Sequence, residues 1–98
     1  MTKTMYELKK DLIEELNDNK QEILENDELI YEFVDSNVPI MNYDLLKLAC
    51  DDLWLGYKTE EQEEMKAENS YDIIKWNIYE KLSEIAYKWL IDQNKKVA

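Results

Sequence analysis

Glu7, Asp11, Glu14, Glu15 and Asp18 recur at steps of three and four residues, and Glu22, Glu25, Asp27, Glu28, Glu32 and Asp35 continue the series. On a helix, side chains at that spacing are neighbours about 5–6 Å apart. Each series therefore lines up full negative charges in a row. Asp51 and Asp52, then Glu60, Glu61, Glu63 and Glu64, extend the candidate acidic surface further along the chain. Carboxylates in such numbers are open to three kinds of chemistry: proton transfer within an unequal pair, capture of a hard cation, or presentation of charge to a basic partner.

Proton transfer has little support. The chain has no histidine, and its basic residues are all lysines, so it lacks both the ordinary general base near neutral pH and the planar guanidinium that clamps phosphate. Cys50 has no imidazole to activate it and stands among Leu48 and Ala49, which reads as a small buried hydrophobe. No catalytic residues are expected, and the chain is not read as an enzyme. Metal binding fares little better: no EF-hand pattern with its central glycine is present, and soft-metal sites would need His and Cys ligands. Diffuse counterions are the expectation. With one glycine in the chain there is no phosphate-cradling loop, so neither a cofactor nor a metal is expected.

Presentation of charge remains. Asp and Glu number 23 against 12 lysines, a net charge of −11, while 45% of the residues are hydrophobic. A disordered acidic tail lacks the apolar residues needed to offset chain entropy, so this composition describes a folded polyanion. Phosphate backbones and anionic lipids repel such a surface, and the expected partner is a basic protein, with no direct nucleic-acid or membrane contact. The bland reading of the surface is solubility. The sharper one is imitation of a phosphate backbone. No signal-peptide core and no run of ~20 apolar residues is visible, and the lone Cys50 suits a reducing compartment. The expected localisation is cytoplasmic.

The elements that must hold these charges are helices. A single Gly and a single Pro, with Leu, Ile, Glu and Lys dominant, predict an all-α fold, a small acidic helical domain spanning residues 1–98 with a long C-terminal helix. Thr4 and Glu7 form a capping box ahead of Met5, Leu8, Leu12 and Leu16, which repeat until Asn17–Asn19. Ile23 and Leu24 mark a short second piece, and Asn26 is positioned to cap a helix over 27–36 carrying Leu29, Ile30, Phe33 and Val34. Pro39 opens a further helix to about Asp52, whose Leu45, Leu46, Leu48, Ala49 and Cys50 make an apolar arc too wide for its own core and predict a subunit contact. Residues 59–69 are compatible with a short capped helix or a loop. Ser70 is positioned to cap a helix to about Asn94, with Ile74, Ile78, Leu82, Ile85, Ala86 and Trp89 on one stripe. Its other aromatics, Trp76, Tyr79 and Tyr87, are assigned to core and interface packing, because stacking platforms for bases come with basic grooves. The balance of acids and lysines is −7 over residues 1–35, −5 over 36–69 and +1 over 70–98, so the acidic surface belongs to the earlier helices.

Two segments add a resemblance. The run Asp35-Ser36-Asn37-Val38-Pro39 through Asp44-Leu45-Leu46 resembles the D-N-x-V-P-x-x-x-x-D-[IL] segment of the Ocr-like phage antirestriction proteins. Asp72-Ile73-Ile74 through Ile78-Tyr79-Glu80-Lys81-Leu82 is similar to their D-V-I-x-x-x-x-x-I-Y-E-x-L helix, in the same order and at nearly the same separation. The resemblance implies a helical homodimer that imitates bent B-form DNA and blocks type I restriction-modification enzymes. It also implies a dimer interface after the Val-Pro motif, falling here on Leu46, Ala49, Cys50 and Leu53. Residues 54–69 and the lysine-bearing C-terminus depart from the family pattern. Another host defence complex, a CRISPR effector or RNA polymerase are therefore alternative targets. The alternative to mimicry is an acidic helical adaptor or inhibitor that binds a basic protein without DNA-like geometry.

Overall fold

Thr4 opens the first helix: its Oγ1 accepts the Glu7 N–H at 3.2 Å, one of the donors that a helix start leaves without an internal partner. The computed structural model describes residues 4–41, 45, 57–68 and 71–97. Within it α1 runs Met5–Asp18 and buries Leu8, Leu12 and Leu16. Asn19 ends it, donating from Nδ2 to the Glu15 carbonyl at 2.8 Å. The short α2, Lys20–Glu25, follows directly and buries Ile23.

Asn26 does not cap the next helix in the way its residue type suggests. It takes an extended conformation, and Asp27 and Glu28 form a turn after it. The Asn26 carbonyl accepts the Leu29 N–H at 3.1 Å and the Asp27 carbonyl that of Ile30 at 3.2 Å. Backbone carbonyls thus satisfy the donors that a side-chain cap would have taken, and α3 begins at Leu29 and ends at Asn37. Val38 is extended, as a residue before proline must be. Beyond Met41, Leu45 is helical and fully buried. The rest of the helix expected there, including Leu46, Ala49, Cys50, Asp51, Asp52 and Leu53, lies outside the described residues.

The charged stretch after residue 58 is a helix, α4, Thr59–Glu68, with Met65 as its buried residue. The Gln62 side chain donates to the Tyr57 carbonyl at 3.1 Å, and the Tyr57 hydroxyl accepts from Asn77 of the last helix, which ties the approach to α4 onto α5. That last helix, α5, spans Asp72–Val97 and so runs past the expected end at Asn94. Its expected cap, Ser70, is outside the described residues.

The described residues contain no strand, and the fold is all-α. Helices α1, α3 and α5 pack against one another pairwise, with α2 bracing α1 and α3. Leu8, Leu12 and Leu16 meet Ile30, Val34, Ile74, Ile78, Leu82 and Ala86 in one core. Burying the three α1 leucines contributes roughly 5–9 kcal/mol of gross transfer energy, on the scale of the whole net stability of a small domain. Loss of α1 from the core would therefore unfold the molecule. Two polar links fix the packing: Trp89 Nε1 donates to Asn17 Oδ1 at 2.8 Å, joining α5 to α1, and buried Asn37 donates to Glu15 Oε2 at 3.2 Å, joining α3 to α1. The molecule is elongated, with extents of 50 × 24 × 19 Å. Its radius of gyration is 15.2 Å, against about 13 Å for a compact domain of this length.

Candidate functional site

The α1 carboxylates share one arc. At 100° per residue Glu7, Asp11, Glu14, Glu15 and Asp18 fall within about 100° of helix circumference, beside the arc that carries Leu8, Leu12 and Leu16. Glu7, Glu14 and Asp18 are exposed, whereas Asp11 and Glu15 are half-buried. Glu15 stands nearest the leucine edge, which is why it reaches Asn37. It serves as a packing contact as well as a member of the row.

Glu22 and Glu25 on α2, Asp27 and Glu28 in the turn, and Glu32 and Asp35 on α3 are all exposed. On α4, Glu60, Glu63 and Glu64 are exposed and Glu61 is half-buried beside Met65. The candidate residues within the described chain thus lie at or near the surface, on α1, α2, α3 and α4 and in the turn before α3. From Glu7 to Asp18 the helix rises about 16 Å in unequal steps of about 1.5 to 6 Å, a mean of about 4 Å per carboxylate; successive phosphates on one strand of B-DNA rise about 3.4 Å. The two spacings differ by less than the reach of a flexible carboxylate side chain.

Among the described residues no group of three or more Asp, Glu or Cys side chains converges to hold a metal ion. No described helix is long and apolar enough to cross a membrane.

The aromatics of α5 divide in a way that composition alone does not reveal. Trp89 is buried, as its position on the Ile74–Ile78–Leu82 stripe predicts, but Trp76 is 61% exposed and Tyr87 57% exposed. Of their assignment to core and interface packing, the core part is corrected for these two residues. The available signal was angular: residues 76 and 87 are eleven apart, which returns to the same helix face within about 20°, and that face is turned away from the buried stripe. Tyr31 on α3 is a further exposed aromatic, at 49%.

Comparisons with protein-family models, curated proteins and solved structures return no match for this chain. The functional reading therefore rests on its own residues and on the two motif segments.

Proposed function

We propose that this protein is a phage-type antirestriction inhibitor: a homodimer, acting in the cytoplasm of the host cell, that mimics B-form DNA and occupies the DNA-binding groove of a type I restriction-modification enzyme. The observation that carries this reading is the α1 carboxylate row, fixed to a rigid helix at about the axial spacing of strand phosphates. The motif segments at residues 35–46 and 72–82 support it from the side of resemblance.

Magnitudes are compatible with the role. A duplex as long as the molecule's 50 Å extent would carry about 29 phosphates at one charge per about 1.7 Å, and the chain carries 23 carboxylates. Its lysines reduce the net charge to −11, and the excess is uneven: −7 on residues 1–35 and −5 on 36–69 against +1 on 70–98. The mimicking face is accordingly assigned to α1, α2 and α3, with the α4 carboxylates added to it; Asp51 and Asp52, expected on the same surface, lie outside the described residues. A groove lined with Lys and Arg to hold phosphates would receive carboxylates already in place. Bending a 20–30 base-pair duplex costs about 1–6 kcal/mol, and a preformed protein surface avoids that cost. The inhibitor acts by occupancy and requires neither catalysis nor a cofactor.

The test is displacement. Purified protein added to a type I restriction enzyme bound to plasmid DNA should release the DNA at close to one inhibitor dimer per binding site. DNA that stays bound across several such enzymes at excess inhibitor would remove this reading.

A further inference from the structure

Helices α3 and α5 leave a groove whose aromatic floor the mimicry reading does not use; of its lining, only Asp35 belongs to both. It is formed by two adjoining concavities that share Trp76 and Tyr79, one reaching toward Val38, Pro39 and Ile40 and the other toward Tyr31 and Tyr87. From Asp72 to Tyr87 the floor extends about 22 Å, four turns of helix. Trp76 and Tyr79 are already stacked, with ring centroids 6.0 Å apart and planes at 20°. No α1 or α2 carboxylate lines either concavity.

An exposed aromatic floor of this kind marks an interaction surface more often than an accident of packing, because Trp and Tyr offer large contact area at small entropic cost. Its rim identifies the occupant. Asp35 and Asp72 stand at one end and Glu80 and Glu84 at the other, with Lys75 the opposing charge. A second copy of this chain seated in this groove would set the rim acids Asp35, Asp72, Glu80 and Glu84 against themselves about a two-fold axis. A partner bearing Lys or Arg meets the rim with opposite charge and the floor with cation–π contacts.

We propose that the α3–α5 groove is a docking site for a basic amphipathic helix of a protein partner, about four turns long, with apolar anchors over Trp76 and Tyr79 and Lys or Arg directed at Asp35, Glu80 and Glu84. The site shares Asp35 with the acidic face assigned above, but its aromatic floor of Trp76, Tyr79 and Tyr87 does not belong to that face, and it stands or falls without the mimicry.

The test uses the full-length protein and a labelled 16-residue peptide of alternating Leu and Lys blocks that forms an amphipathic helix, with a Leu/Glu peptide of the same pattern as control. Fluorescence anisotropy should show the Leu/Lys peptide binding and the Leu/Glu peptide not. Trp76→Ala and, separately, Tyr87→Lys should each weaken binding about tenfold or more. Both side chains are exposed, and circular dichroism would verify that each variant keeps its helices. The combined variant Glu7→Gln, Glu14→Gln, Asp18→Asn should change binding less than twofold. Weakening by the α1 variant as large as that by Trp76→Ala would show that binding is not confined to the groove and overturn the proposal. So would a wild-type dimer that Trp76→Ala converts to monomer, since a second copy would then be the occupant. Absence of binding by the wild-type chain would overturn it too. DNA displacement by the Trp76→Ala protein reads the mimicry separately, because the groove variant leaves the α1 row intact.

Discussion

Asn17 shows how a single polar side chain can carry a contact between distant parts of the chain. Its type and position suggest a helix ending, yet the structure uses its Oδ1 to accept the indole N–H of Trp89, 72 positions away in sequence. Asn17→Ala would leave that donor, on a residue only 7% exposed, without its protein partner. The expected cost is about 1 kcal/mol, or a fall of about 4–8 °C in thermal midpoint for a domain of this size. Thermal unfolding followed by circular dichroism would check it, and a midpoint equal to wild type would show that the bond contributes nothing. Asn37 is the companion case. It stands in the motif before Pro39 and reads as a breaker, but it is 8% exposed and bonded to the Phe33 carbonyl at 2.8 Å as well as to Glu15.

At the scale of elements, α1 works against itself. Glu7–Asp11, Asp11–Glu15 and Glu14–Asp18 are like-charge pairs four residues apart, each destabilising by about 0.2–0.5 kcal/mol. The combined variant Glu7→Gln, Glu14→Gln, Asp18→Asn should therefore gain about 0.5–1 kcal/mol of stability in urea unfolding while losing displacement of DNA from the restriction enzyme. A variant that lost both would place those carboxylates in the scaffold instead. The helices themselves were largely legible in the sequence, because their core faces obey a simple period: Leu8–Leu12–Leu16 and Ile74–Ile78–Leu82 are buried as that spacing requires. Thr4 and Glu7 likewise announce the start of α1. The beginning of α3 was not legible. Asn26, Asp27 and Glu28 suit a cap or a turn equally well, and the choice depends on where Ile23 and Ile30 must point to reach one core. Glu15 and Trp76 show a related limit: residue type gives charge and apolarity, but the neighbouring helix decides which edge of each face is covered.

The whole molecule is an elongated acidic body whose excess of carboxylates lies in residues 1–69, residues 70–98 being close to neutral. If binding to a basic groove rests on the carboxylate face, affinity must fall as counterions compete for both surfaces. Raising salt from about 50 to about 200 mM should weaken a complex of six to ten ionic contacts by several orders of magnitude if it follows the behaviour of DNA. A dissociation constant from titration calorimetry that stays flat over this interval would assign the affinity to shape and apolar contact instead. The pairing of α1 with α5 has a further consequence in time. A ribosome adding about 5–20 residues per second would take about 4 to 14 s to go from Asn17 to Trp89, so the leucines of the first helix wait that long for their final cover. Throughout the wait the nascent segment already bears the repulsive charge that keeps one unfinished chain from adhering to another, and the acidic row thereby protects the protein before it is able to act.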